Sequence, residues 1–361
     1  MMPQIRMPAN EDLDKILPPS PRSPHMYGSP EGMTYSSKLA SPRAKTSPRT
    51  RMLKKWPRKD ERRMLNVVYR VGNIEESIEY YQECLGMHIL RRIDFPEDKY
   101  LTVFMGYGYE DNHLAVELTY NYGVTKYDLG NGLNHFGLAV PNVQATLNEI
   151  RKKGFPAPES TSKDLNGNVY AMIKDPTGYP FKLIQRAGMR ERLWQVSFKV
   201  GDIGAAILFY QDAYGMFLLA RNDYPLKQKT YAYMAYNLDD TMTTVIEFEY
   251  DYGVTEYNHG NGYAQLTIGT EDVYKTANAV ELQHGKTTRP PGPLPGIPTK
   301  IYGCLDPDAW KVVFVDNRDF SREQEPSSFI PRVTTSIELE RNSAWRCLGF
   351  DPMFDKPPGG F

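Results

Sequence analysis

Cysteine is scarce in this sequence. The 361 residues include three, Cys84, Cys304 and Cys347, an odd count at spacings that match no metal-binding motif. A disulfide framework of the kind that holds small secreted domains together is therefore excluded. The pattern favours reduced thiols inside a cell.

Long apolar runs are also missing. No stretch approaches the roughly 18 consecutive apolar residues that a membrane-spanning helix needs. Residues 1–20 contain no apolar segment of the secretory type. We expect no membrane association and an intracellular location, while the Ser- and Arg-rich stretch that follows leaves import into an organelle open.

Charge is divided unevenly between residues 1–63 and the rest of the chain. The formal net charge is −1, but residues 1–63 sum to +8 and the remainder to −9. Residues 1–63 lack apolar periodicity and contain five Ser-Pro steps, so they cannot bury enough apolar surface to offset their chain entropy. We predict a basic, Ser-Pro-rich, non-globular arm over residues 1–63 and an irregular C-terminal arm over residues 321–361.

Between the arms the sequence repeats itself. YRVGNIEESIEYYQECLGM, from Tyr69, returns as FKVGDIGAAILFYQDAYGM from Phe198, and NYGVTKYDLGNG returns as DYGVTEYNHGNG. Each copy contains two rounds of a strand, a helix of 3.6-residue periodicity and further strands. The prediction is an α+β fold of four βαβββ motifs, with one module at residues 64–188 and another at 189–320.

These repeated segments, together with AVELTYNYGVTKYDLGNGLNHFGLAV and DPTGYPFKLI, resemble glyoxalase I (lactoylglutathione lyase) of the vicinal-oxygen-chelate superfamily, in its two-domain plant-type arrangement. The resemblance implies an isomerase acting on the hemithioacetal of methylglyoxal and glutathione. It also implies a divalent metal, usually zinc or nickel. The metal ligands would be His or Gln and then Glu from one motif, with His and Glu from a motif of the partner module.

Matching those positions residue by residue gives two candidate sites. The first site comprises Asn66, Glu117, Gln265 and Val313, and the second site comprises Gln195, Glu247, His135 and Lys182. The first has no imidazole and an apolar fourth position, so it is predicted to be degenerate. The second keeps three acceptable ligands, Gln195, Glu247 and His135, and Glu247 is its remaining catalytic candidate.

Lys182 occupies the position of the proton-shuttling glutamate. An ammonium has no lone pair for a metal and repels a dication, so we expect Lys182 to pair with Glu247 and exclude metal. The alternative is a deprotonated Lys182 acting as a base, with metal on the other three residues. Asp212 and Asp251, where the resemblance implies groups that contact glutathione, would repel the carboxylates of that substrate.

From these substitutions the sequence favours a non-catalytic glyoxalase-like protein, a structural component of a larger cytoskeletal assembly that needs no cofactor. Its arms would dock on tubulin, in the cytoplasm or in a ciliary axoneme, while nucleic acid is disfavoured because Trp56 alone interrupts the basic run. One alternative is an active lactoylglutathione lyase that forms S-lactoylglutathione with zinc or nickel. Another is a module that binds a small molecule without chemistry.

Overall fold

The computed structural model describes residues 47–294 and 297–324. The predictions for Cys347 and for most of both arms fall outside these residues. The helices are α1 (Pro48–Lys59), α2 (Ile74–Glu83), α3 (Val143–Lys152), α4 (Ile203–Asp212), α5 (Val273–Glu281) and α6 (Asn317–Glu323). The strands are β1 (Met64–Arg70), β2 (His88–Phe95), β3 (Tyr100–Gly106), β4 (Ala115–Asn121), β5 (Leu133–Val140), β6 (Ser162–Lys163), β7 (Val169–Lys174), β8 (Pro180–Gln185), β9 (Leu193–Lys199), β10 (Phe217–Tyr224), β11 (Lys229–Ala235), β12 (Val245–Asp251), β13 (Tyr263–Thr270), β14 (Lys286–Leu294), β15 (Ile297–Leu305) and β16 (Lys311–Asp316).

Two eight-stranded sheets form, and each takes half of its strands from each copy of the repeat. The first sheet has the order β14-β15-β16-β13-β1-β4-β3-β2, and the second has the order β10-β11-β12-β9-β5-β8-β7-β6. Within each motif the first strand pairs in parallel with the last, as β1 does with β4 and β9 with β12. The predicted α+β fold of four βαβββ motifs is confirmed. The second sheet curls until the turn after β6 meets β10, where Asn222 Nδ2 donates to Asn166 Oδ1 at 3.4 Å.

Helices α2, α3, α4 and α5 begin directly after an Asn or Asp whose side chain accepts from a free backbone N–H of the first turn. The four capping residues are Asn73, Asn142, Asp202 and Asp272. Each helix then buries one face in a core shared by both sheets. The ring of Tyr69 in β1 stacks on Phe136 in β5 at 4.9 Å between centroids, which joins the two sheets through that core.

The Gly-Asn-Gly turns of the two copies interlock. Asn131 N donates to Asn258 O at 2.7 Å, and Asn261 N donates to Asp128 O at 2.7 Å. Gly130 has a φ of +62°, and a Cβ there would lie 2.1 Å from the Asn258 carbonyl oxygen. Glycine is therefore required at this crossing for both its conformation and its size. These turns tie the copies together.

Helix α1 lies inside the segment for which the sequence predicts no globular structure. Ser47 caps it, Pro48 occupies its first turn, and Leu53 and Pro57 are buried. Trp56 Nε1 donates to Thr276 Oγ1 of α5 at 3.0 Å. The helix differs from the prediction because its short apolar face is covered by α5, and that tertiary contact outweighs the cationic, proline-containing sequence.

Two further observations concern membrane-spanning helices and disulfide bonds, neither of which the sequence predicts. Within residues 47–294 and 297–324, no helix has the length and apolar character to cross a membrane. Cys84 and Cys304 are both buried free cysteines.

Candidate functional site

Strand order brings the predicted site residues into two groups. In the second sheet, Glu247, Gln195, His135 and Lys182 come from the adjacent strands β12, β9, β5 and β8. In the first sheet, the corresponding strands β4, β1, β13 and β16 carry the residues of the first site. The grouping expected from the repeat is thus the grouping that the sheets produce.

Three side chains of the second site converge. Gln195 Nε2 donates to Glu247 Oε2 at 2.6 Å, while Gln195 Oε1 lies 3.2 Å from His135 Nε2. His135 Nε2 is also 3.8 Å from Glu247 Oε1. All three residues are at most 5% exposed. An imidazole nitrogen, an amide oxygen and a carboxylate therefore meet in one sheltered place.

The imidazole of this group is held in its neutral form. Burial lowers the pKa of His135 below its ordinary value, and the nearby charge of Lys182 acts in the same direction, while Glu247 opposes them. A neutral imidazole has a lone pair to offer a metal, whereas a protonated one has none. In this arrangement His135 Nε2–H donates to Gln195 Oε1, so a metal bound at Nε2 would take the place of that proton.

Lys182 does not pair with Glu247, so that prediction is wrong. Lys182 Nζ lies 3.4 Å from Asp164 Oδ2, in the turn between β6 and β7, and 5.0 Å from the ring centroid of Tyr170. Asp164 itself is fixed by the backbone N–H groups of Asn166 and Asn168, which donate to its Oδ1. The curl of the sheet brings this turn to Lys182, so the ammonium is neutralised without using Glu247.

Sequence reasoning missed three residues around Glu247. Ser197 Oγ donates to Glu247 Oε1 at 2.7 Å, and Asn134 Nδ2 lies 3.2 Å from Ser197 Oγ. Tyr233 also hydrogen-bonds Glu247, and burial followed by that carboxylate raises the pKa of Tyr233 far above its ordinary value. Ser197 could have been found from the sequence, because it is two residues from Gln195 and therefore on the same face of β9.

The first site is arranged differently. Asn66 Nδ2 donates to Glu117 Oε2 at 3.3 Å, whereas Val313 packs in an apolar cluster with Leu65 and Phe320. Gln265 is half-buried. Burial raises the pKa of Glu117 to about 7, although Arg91 opposes the shift. This group has no imidazole and holds a carboxyl that keeps its proton near neutrality.

Asp251, expected to repel an anionic substrate, is neutralised in the structure. Its carboxylate lies 3.2 Å from Lys199 Nζ and 2.6 Å from Lys229 Nζ. Lys229 also pairs with Glu249. Because two ammonium groups surround Asp251, the surface there carries both signs of charge, and Asp251 is not expected to repel an anionic substrate.

Simple metal clusters do not occur in the part of the chain that the structure describes. No three side chains of His, Cys, Asp or Glu lie close enough together there to hold a metal ion by themselves. The second site has two such side chains, His135 and Glu247, and its third donor is the amide of Gln195.

Comparison with known proteins supplies the family. The model of the Glyoxalase/Bleomycin resistance protein/Dioxygenase superfamily matches residues 63–183 and again 192–314. The chain is 53% identical over 271 residues to "Probable lactoylglutathione lyase, chloroplastic" of Arabidopsis thaliana, covering 75% of this chain and 77% of the relative. It is 50% identical over 274 residues to lactoylglutathione lyase of Oryza sativa subsp. japonica, covering 74% and 94%. The crystal structure of glyoxalase I from Zea mays superposes with a TM-score of 0.73 at 49% identity, over 75% of this chain and 98% of that one.

These relatives overturn the interpretation as a non-catalytic cytoskeletal component. Proteins about half identical over most of the chain are lactoylglutathione lyases, and the comparisons give no support to tubulin, microtubules or a cilium. The expectation that no cofactor is needed is also wrong, because it followed from the non-catalytic interpretation that the lactoylglutathione lyase relatives contradict. That interpretation rested on Lys182, Asp212 and Asp251 at the family positions and on the composition of the two arms.

The duplicated family match, the reciprocal strand exchange between copies and the maize structure agree on one assignment. The chain belongs to the Glyoxalase/Bleomycin resistance protein/Dioxygenase superfamily, as a tandem, plant-type homologue of glyoxalase I.

Proposed function

We propose that this protein is a lactoylglutathione lyase whose active centre is the second site. It would convert the hemithioacetal of methylglyoxal and glutathione into S-lactoylglutathione. The observation that carries the proposal is the convergence of His135, Gln195 and Glu247 within 3.8 Å of one another, inside a curled sheet. The relatives of Arabidopsis and rice support the choice of reaction.

The donors of the second site fit a divalent metal. His135 offers an imidazole nitrogen, and Gln195 and Glu247 offer oxygens, a combination suited to zinc or nickel. Three protein ligands with a further position open are typical of catalytic rather than structural zinc sites. When bound, the cation would polarise the two substrate oxygens and stabilise negative charge on them.

Glu247 is the residue that we assign to proton transfer. The reaction moves a proton between adjacent carbons, which needs a base within hydrogen-bond reach of both. Glu247 supplies the single carboxylate of the converging group. Lys182 is a poor candidate for that base, because its ammonium lies beside the carboxylate of Asp164 and has no lone pair to accept a proton.

The mouth of the second site suits an anionic substrate. Lys199 and Lys229 are partly exposed, with 25% and 31% of their side chains accessible, and both lie against Asp251. Glu249 also pairs with Lys229, so two carboxylates balance the two cations, but the partly exposed ammonium groups would still be available to pair with the carboxylates of glutathione.

The test combines metal analysis with turnover of the full-length protein. We expect about one bound divalent ion per chain and measurable isomerisation of the hemithioacetal. Replacing His135→Ala should remove both, whereas Gln265→Ala in the first site should leave both intact. Absence of turnover from wild-type protein supplied with zinc or nickel would refute the assignment, as would His135→Ala protein with full activity.

We also propose that the enzyme works inside a cell, either in the cytoplasm or after import into an organelle. The chloroplastic designation of the Arabidopsis relative supports the second location. A fluorescent fusion at the C-terminus, with and without residues 1–46, distinguishes the two. Identical cytoplasmic fluorescence from both fusions would remove the case for import.

A further inference from the structure

We propose that Ser197 is a positioning residue, which together with Asn134 fixes the carboxylate of Glu247 toward His135 and Gln195. This inference rests on the proposed function insofar as Glu247 is taken as a metal ligand. The orientation of the carboxylate can nevertheless be measured without any metal.

The position of Ser197 in the sheet is central. β9 lies between β12 and β5, and Ser197 is the register partner of Glu247 on one side and of His135 on the other. Its side chain is completely buried. A hydroxyl in this position can reach Glu247, and bulk water does not compete for it.

The direction of each hydrogen bond follows from the chemistry of the partners. The Asn134 amide has two protons, which it donates to Ser197 Oγ at 3.2 Å and to Glu249 Oε2 at 2.7 Å. The oxygen of Ser197 therefore accepts from Asn134. Its single proton is left for Glu247 Oε1, 2.7 Å away. Because Gln195 Nε2 holds the other oxygen of Glu247, both carboxylate oxygens have fixed partners.

The first site shows the same backbone arrangement without the hydroxyl. Val68 is the register partner of Glu117 and of Gln265, as Ser197 is of Glu247 and His135. Among the described residues, the buried Asn66 Oδ1 in that site has no hydrogen-bond partner. The hydroxyl thus accompanies the site that retains an imidazole, and a hydrocarbon occupies its place in the site that lacks one.

The orientation of Glu247 matters more here than in a site with two carboxylates. Lys182 leaves Glu247 as the single anionic donor of the second site, so no second carboxylate can compensate if Glu247 rotates away. Groups that orient a metal ligand commonly contribute about 10- to 100-fold to metal affinity. Ser197 contacts Glu247 Oε1 directly at 2.7 Å, beside Gln195 and Tyr233, and is therefore in position to do so.

The experiment uses two substitutions of nearly equal shape, Ser197→Val and Ser197→Thr, in the full chain. Metal affinity is measured by competition with a chelator, using zinc. We expect Ser197→Val to weaken zinc affinity about 10- to 100-fold and Ser197→Thr to stay within about threefold of wild type, because threonine restores the hydroxyl. Val68→Ser is the control in the first site and should change nothing.

A second measurement keeps the inference separable from the proposed function. Wild-type protein that binds neither zinc nor nickel would refute the proposed function, while crystal structures of the two variants would still report the orientation of Glu247. Rotation of its carboxylate away from His135 in Ser197→Val, and its retention in Ser197→Thr, support positioning. An unmoved carboxylate in Ser197→Val, or equal zinc affinity of the two variants when zinc binds, overturns it. Melting curves establish that both variants fold.

Discussion

The ammonium of Lys182 and the carboxylate of Asp164 form an ion pair, with Nζ and Oδ2 3.4 Å apart and both side chains largely buried. This pair holds the ammonium of Lys182 against Asp164 rather than against Glu247, although its charge still acts on His135. It leaves Glu247 to Gln195, Ser197 and Tyr233, and His135 to Gln195. A position that would otherwise block metal binding is thereby made compatible with it.

Replacing the pair should strengthen the metal site. Lys182→Glu combined with Asp164→Asn places a fourth oxygen donor on β8 and removes the carboxylate that would repel it. We expect zinc affinity to rise at least about tenfold, because a neutralised cation is exchanged for an anionic ligand. Lys182→Met with Asp164→Asn is the matched control and should give no such gain. Equal affinities for the two double variants would mean that the β8 position does not face the metal.

Metal removal should destabilise the wild-type protein in a way that depends on His135. A ligand that binds the folded state at 100 times its dissociation constant stabilises it by about 2.7 kcal/mol. We therefore expect zinc to raise the melting temperature of chelator-treated wild type and of Gln265→Ala by several degrees. His135→Ala should show no increase. A zinc-dependent shift that survives His135→Ala would place the ion elsewhere.

Glu117 should make stability depend on pH. Burial raises its pKa from 4.5 to about 7, so the folded protein retains a proton that the unfolded chain has released. Its contribution is fully present below pH 4.5 and is lost as the pH rises through 7. Glu117→Gln, which cannot ionise, should then stabilise the protein at pH 8 by roughly 2 kcal/mol, discounted for partial exposure, and have no effect near pH 4.5.

Urea unfolding at several pH values measures the effect of Glu117→Gln. Glu79 is exposed on α2, and Glu79→Gln is the control, expected to change the free energy of unfolding by less than about 0.5 kcal/mol at any pH. If Glu117→Gln and Glu79→Gln behave alike at pH 8, Glu117 is ionised without cost in the folded protein.

The duplicated pattern in the sequence was sufficient to predict most of the fold. The four βαβββ motifs predicted from the repeat are the motifs that the two sheets contain. The segment His88–Phe95, which forms β2, shows no regular alternation of buried and exposed residues. Elements with a regular hydrophobic periodicity can be predicted from the sequence, whereas an irregular strand such as β2 cannot.

Two contacts could not be predicted from the sequence: one depends on the curvature of the second sheet, and the other on the packing of α1 against α5. Lys182 and Asp164 are 18 residues apart, yet they meet because the sheet bends and carries the β6–β7 turn inward. Helix α1 packs against α5, where Trp56 Nε1 donates to Thr276 Oγ1, and the sequence of α1 alone cannot reveal that contact. Both cases depend on surfaces supplied by distant parts of the chain. For that reason the adjacency of the candidate site residues could be predicted from the family resemblance, whereas the partner of Lys182 could not.

Breaking the buried ion pair in the segment between α1 and β1 should destabilise the protein strongly. Asp60 Oδ2 accepts from Arg62 Nε at 2.7 Å, Asp60 Oδ1 accepts from Glu271 N at 2.8 Å, and neither charged side chain is exposed. Asp60→Ala would leave the Arg62 guanidinium buried without its counter-charge, which costs about 3–5 kcal/mol. Lys59→Ala, on the exposed end of α1, should cost less than about 0.5 kcal/mol. Urea unfolding of both variants measures the difference.

The double variant with Arg62→Met should recover part of the loss, since a buried pair replaced by apolar groups often costs little. A loss below about 1 kcal/mol for Asp60→Ala would show that water reaches Arg62, and that this segment is not part of the cooperative fold.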